Sequence, residues 1–109
     1  MSHSLRPAPA RWLIAVFVAA LSTTALSAQA ADPVNGKRQY TAYCASCHGY
    51  DGMGLMPNAP KLALGERMGQ PDFALVNTLK SGFGTHPPFL GILNERELYD
   101  VIAYVRTLR

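Results

Sequence analysis

Cys44-Ala45-Ser46-Cys47-His48 is the stretch on which the reading of this 109-residue chain turns. Two thiols three positions apart, with an imidazole directly after the second, are the residue types needed to anchor a porphyrin and ligate its iron. Each thiol can add across one vinyl group, and the histidine is then held under the metal. In this reading Cys44 and Cys47 are the covalent anchors of one c-type haem, and His48 is an axial iron ligand. Two rivals use the same residues. The pair could form a small disulfide or a thioredoxin-like redox site, and the redox reading needs a βαβ context that the sequence lacks. A zinc site drawn from Cys44, Cys47, His48 and His86 would put one histidine beside its own cysteine pair, which suits tetrahedral coordination poorly.

Upstream of the motif, the first thirty residues have the pattern of a secretory leader. Arg6 and Arg11 make a positive start, Trp12 to Leu26 is an apolar run, and Ala28-Gln29-Ala30 is a small-x-small cleavage site. The expected division is a signal peptide over 1–30 and one domain over 31–109; 109 residues less thirty leave 79. The full chain carries a net charge of +3, but the leader holds two of its ten Lys/Arg and no acid, so eight cations face seven acids in the domain. No polybasic run remains, which argues against nucleic acid and against an anionic membrane surface as partners. The chain has two cysteines, and both are used by thioether bonds, so no structural disulfide is left to staple the domain. A domain this small needs help beyond its own core, and a buried covalent cofactor supplies it.

Along the domain, Asp32 as cap and Pro33 at the first position predict a helix to about Tyr43. Gly36 and Tyr40 lie one turn apart on it. A mid-helix glycine weakens a helix by about 1 kcal/mol relative to Ala, a loss that close contact with another helix would offset. Gly49, Gly52, Gly54 and Pro57 predict a loop from His48 to about Pro60, in which Met53 and Met56 are read as packing residues. Pro60 is positioned to offer its carbonyl to the free N–H of His48, and Leu62 follows in an apolar return. Gln70-Pro71-Asp72 opens a second helix, with Phe73, Val76 and Leu79 at three-residue spacing and Gly82 as its stop. Asn94 with Glu97 is a capping box. The helix after it presents Leu98, Val101, Ile102, Val105 and Leu108 on one side. Tyr99 and Tyr104 are read as packing or surface residues, and no segment reads as a strand.

Taken together, these residues resemble the class I cytochromes c of bacterial periplasms. The resemblance spans the domain. It rests on the Gly36/Tyr40 helix leading into Cys44-Ala45-Ser46-Cys47-His48, on Ala59-Pro60-Lys61-Leu62, on Gly82-Phe83-Gly84-Thr85-His86-Pro87-Pro88-Phe89, and on the ending Val101 to Leu108. It implies an all-α fold of three to five helices wrapped around one covalent haem c, with the first and last helices crossing at Gly36. It also implies Pro60 as the orienting partner of the proximal His48, with Leu62 packing on the haem. The family's usual distal ligand is a methionine before the proline at this place, where the chain has His86. With only His48 and His86 left after leader removal, the expectation is a bis-histidine haem, with Met68 or another thioether as the alternative ligand.

Two axial protein ligands leave no open coordination site, so the expected function is single-electron transfer in the periplasm and not enzymatic turnover. The expected partners are transient redox proteins, docked by a monomer that has no membrane attachment once the leader is gone. Lys61, Arg67, Lys80 and Arg96 are either a docking face or ordinary solvated charges. The competing function, a small-gas binder or peroxidase-like enzyme, requires a displaceable distal ligand.

Overall fold

The chain is seen here in a computed structural model that describes residues 2–5 and 29–109. The leader expected over 1–30 therefore lies, apart from its ends, outside the described residues. Among those described, no helix is long and apolar enough to cross a membrane.

Four α-helices carry the described part: α1 (Pro33–Tyr43), α2 (Ala45–His48), α3 (Asp72–Ser81) and α4 (Glu95–Val105). Short 3-10 turns occupy Leu62–Leu64 and Arg106–Leu108. Among the described residues the β structure is limited to one isolated bridge between Phe83 and His86. The fold class is thus all-α, with four helices.

The ends of α1 and α4 form as their sequences dictate. The Asp32 side chain accepts the Val34 N–H ahead of Pro33, and both halves of the Asn94/Glu97 capping box are made. The α4 stripe Leu98, Val101, Ile102 and Val105 is buried as a block and forms the centre of the core with Tyr40, Val76 and Phe89. Helix α1 crosses α4 at Gly36. A Cβ built there would stand 1.9 Å from the Asp100 carbonyl oxygen and 3.0 Å from Tyr104 Cβ. No side chain fits at that spacing, and the glycine is a packing requirement.

The sequence conceals a polar lock at the same crossing. Asp100 is only 2% exposed. Its carboxylate accepts the Asp32 backbone N–H at 2.7 Å and the Asn35 side-chain amide at 2.8 Å, so a group that is costly to bury is satisfied from the start of α1. A second tie joins the chain's end to the turn before α3. Arg106 pairs with Asp72 and donates to the carbonyls of Met68 and Gln70.

Two packing expectations are corrected. Phe73 is 61% exposed, and the buried face of α3 is Leu75 and Val76, with Leu79 packed beside them. A strict spacing of three drifts around a 3.6-residue helix, which carries Phe73 off the core face. Met53 and Met56 are also largely exposed and lie outside the core, with Met56 at the edge of a cavity described below. Tyr99 and Tyr104 are half-buried against the core, as expected.

Candidate functional site

Helix α1 delivers Cys44 to the wall of an internal space, and the single turn of α2 carries Cys47 and His48 past it. An inner cavity of about 310 Å³ is walled by Tyr40, Cys44, Leu62, Leu75, Leu79 and the α4 residues Val101, Ile102 and Val105. An outer cavity of about 570 Å³ is lined by Cys47, Met56, Phe83, Pro87 and Phe89. Both include Cys44, His48, Pro60, Arg67, Phe83 and His86. The space is thus apolar within, edged by two thiols and faced by two imidazoles.

Neither cysteine is in a disulfide; Cys44 is half-buried and Cys47 exposed. Burial, with the neighbouring Cys47, pushes the Cys44 thiol up to about 11, so it is a neutral group on an apolar wall. Among the described residues no three His, Cys, Asp or Glu side chains gather closely enough to hold a metal ion.

Loop 49–61 folds back on the motif through its backbone. The Gly54 N–H donates to the His48 carbonyl at 2.7 Å, and Leu55 and Met56 donate to the Cys47 carbonyl. Gly49, Gly52 and Gly54 have positive φ, conformations open to glycine at little cost. The loop brings Pro60 to His48, whose Nδ1–H donates to the prolyl carbonyl at 3.2 Å, leaving Nε2 as the free donor. The basicity of His48 is lowered by its burial and by His86, with the Pro60 bond acting in the opposite sense.

On the other side, residues 82–89 form a tight excursion between α3 and α4. Its base is pinned where the Phe89 N–H donates to the Leu79 carbonyl at 2.9 Å. At Gly82, φ is 69° and a Cβ would lie 2.6 Å from the His86 carbonyl oxygen, so only glycine closes the loop. The tip sets His86 opposite His48, with ring centres 6.3 Å apart and planes inclined by 45°. Two imidazoles sharing one metal, with metal–nitrogen bonds of about 2 Å and about 1.2 Å more to each ring centre, need roughly this separation. The His86 Nδ1–H donates to the Pro87 carbonyl at 3.0 Å, again leaving Nε2 free. Both rings are therefore held through Nδ1 by a prolyl carbonyl, the arrangement that orients a ligating histidine.

The sequence reading reached Cys44, Cys47, His48, Pro60, Leu62 and His86, and all six line this space. It missed the Pro87 carbonyl and Phe83, whose ring stacks on His86 at 5.1 Å and 7°. It also missed what is particular about Arg67. This residue is the only Lys, Arg, Asp or Glu on either cavity wall among the described residues, and it is held at φ 65°, uncommon for a side-chain-bearing residue. Met68 is buried on the inner wall, while Lys80 is engaged with Glu95.

Comparison with known proteins gives a consistent picture. The family model described as cytochrome c oxidase, cbb3-type, subunit III matches residues 31–105. The chain is 37% identical over 94 residues to cytochrome c6 of Nostoc sp., covering 84% of this chain and 82% of that protein. It is 32% identical over 93 residues to cytochrome c6 of Thermosynechococcus vestitus, with 84% and 83% covered. To cytochrome c6 of Anabaena variabilis it is 36% identical over 77 residues, with 69% and 90% covered.

Proposed function

The chain belongs to the class I monohaem c-type cytochromes, and from that premise we propose that it is a periplasmic one-electron carrier, exported by residues 1–30 and working as a monomer. A c-type haem supplies an iron that gains and loses one electron without a change of ligands. The remaining work falls to the chain's own residues. Cys44 and Cys47 hold the haem by two thioethers, so it stays with the protein through every encounter. His48 and His86 would hold the iron from its two sides, and the Pro60 and Pro87 carbonyls, by accepting from Nδ1–H, would leave Nε2 of each ring to it. Leu62, Leu75 and the α4 stripe exclude water from the inner face, which limits the reorganisation that accompanies a change of charge. Arg67 is the counter-ion for the acidic side arms of the haem. With both axial positions filled by the protein, no substrate is bound and none is turned over, and the partners are redox proteins met in brief encounters.

The observation that carries this reading is the pair of imidazoles, 6.3 Å apart across a cavity edged by two cysteines. The test is the mass of the exported protein together with the spectrum of its reduced form. The expected result is the polypeptide from about Ala31 plus one haem, with a reduced spectrum that carbon monoxide changes only slowly, at the rate at which a protein ligand detaches. A bare polypeptide mass would remove the haem assignment. A prompt shift with carbon monoxide would turn the reading towards a gas binder.

A further inference from the structure

An axial imidazole can rotate about its bond to the metal, and the protein must fix that rotation if the two ring planes are to keep one mutual angle. For His48, burial and the Pro60 carbonyl do this. His86 stands on an exposed loop tip, and three contacts surround its ring. The Pro87 carbonyl meets Nδ1 at 3.0 Å, Phe89 meets the ring edge-on at 6.0 Å and 66°, and Phe83 lies parallel to it, 5.1 Å away and inclined by 7°. Phe89 is a core residue, 6% exposed, and its position serves the fold. Phe83 is 48% exposed and contributes little to the core. What sets Phe83 apart is its place: it stands on the wall shared by both cavities with its ring flat against the half-buried imidazole.

We propose that Phe83 is a positioning residue for His86: its ring fixes the rotation of the imidazole, and so the 45° between the two axial planes, and hinders the detachment of His86 in favour of an external ligand. The proposal rests on the reading of His86 as an axial ligand. An offset stack of this kind restricts tilt and rotation about the donor axis, while the hydrogen bond to Pro87 restricts the ring at one atom only. The backbone pairing of Phe83 with His86, N–H to carbonyl in both directions at 3.3 and 2.8 Å, does not involve the phenyl group. Truncation at this position therefore leaves the loop's own bonds in place.

The experiment compares the wild-type holoprotein with F83A and F83Y. Electron paramagnetic resonance of the oxidised forms reads the plane angle, and stopped-flow carbon monoxide uptake by the reduced forms reads detachment of His86. The wild type is expected to give a sharp low-spin bis-imidazole spectrum. F83A is expected to give broadened or shifted lines and carbon monoxide uptake faster by roughly two- to tenfold, the range set by the strength of one aromatic stack. F83Y, which keeps a stacking ring, is expected to match the wild type in both. If F83A superimposes on the wild type, or if F83Y shifts as far as F83A, Phe83 does not position His86. If instead the wild type shows the far-red sulfur-to-iron band, His86 is not a ligand, and the proposal falls with the assignment beneath it.

Discussion

At the scale of single residues, the decisive choice is between an imidazole and a thioether opposite His48. Imidazole donates more strongly to ferric iron, so His86 in its proposed role would hold the potential below that of a methionine-ligated relative. His86→Met should raise the reduction potential by on the order of 100 mV, a modest part of the roughly 0.8 V that axial ligands span. A spectroelectrochemical titration checks this. Met68→Leu, a nearly volume-conserving change of the buried alternative, should leave the low-spin spectrum as it was. An unmoved potential in the first variant, or a lost low-spin signal in the second, would transfer the ligand role to Met68. The sequence singled out His86 because it and His48 are the two histidines within residues 31–109. Its companions were not singled out, since nothing in the order Phe83-Gly84-Thr85-His86 says that the first ring folds flat onto the last. That contact depends on Gly82 taking φ 69° and on a loop closed by backbone bonds.

At the scale of elements, the crossing of α1 and α4 gives the sharpest test. Glycine to alanine inside a helix would ordinarily gain about 1 kcal/mol in propensity. At Gly36 the added methyl would meet the Asp100 carbonyl at 1.9 Å, and backbone held in a helix cannot yield as the end of a side chain can. Overpacking of a close contact typically costs about 1–3 kcal/mol, and here it acts on the interface that the rest of the fold is built against. Gly36→Ala should therefore destabilise, lowering the thermal midpoint by roughly 4–8 °C for each kcal/mol in a domain of this size. An unchanged or higher midpoint would mean that the two helices are able to part at this point without loss. The elements with local signals were legible, among them the Asn94/Glu97 box, the Asp32-Pro33 start and the apolar period of α4. Asp100 was not, because the atoms that make its burial tolerable belong to Asp32 and Asn35, 68 and 65 residues away in the chain. Phe73 failed for a related reason. Its three-residue spacing to Val76 and Leu79 drifts around a 3.6-residue helix, and which part of that arc faces α4 is fixed by the fold.

At the scale of the whole molecule, the question is whether the helices would hold together without the haem. The inner cavity of about 310 Å³ is walled by residues that also build the core, among them Tyr40, Leu75, Val101, Ile102 and Val105. At about 24 cal/mol for each Å³ of void, a cavity of this volume would cost up to about 7 kcal/mol, an upper figure because water can enter from its mouth. Domains of this length are stable by only about 4–12 kcal/mol in total. The haem's hydrophobic mass and its two covalent links thus account for much of the margin by which the domain stays folded. Replacing both Cys44 and Cys47 by Ala removes the links while leaving the Asp32 and Asn94 caps and the whole of α1, α3 and α4 untouched. The expected product, free of haem, has lost most of the helical circular dichroism of the holoprotein and unfolds without a cooperative transition. Full helical signal with a sharp thermal transition in the same haem-free variant would mean that α1, α3 and α4 close the cavity on their own, and that the haem is a passenger in a fold already complete.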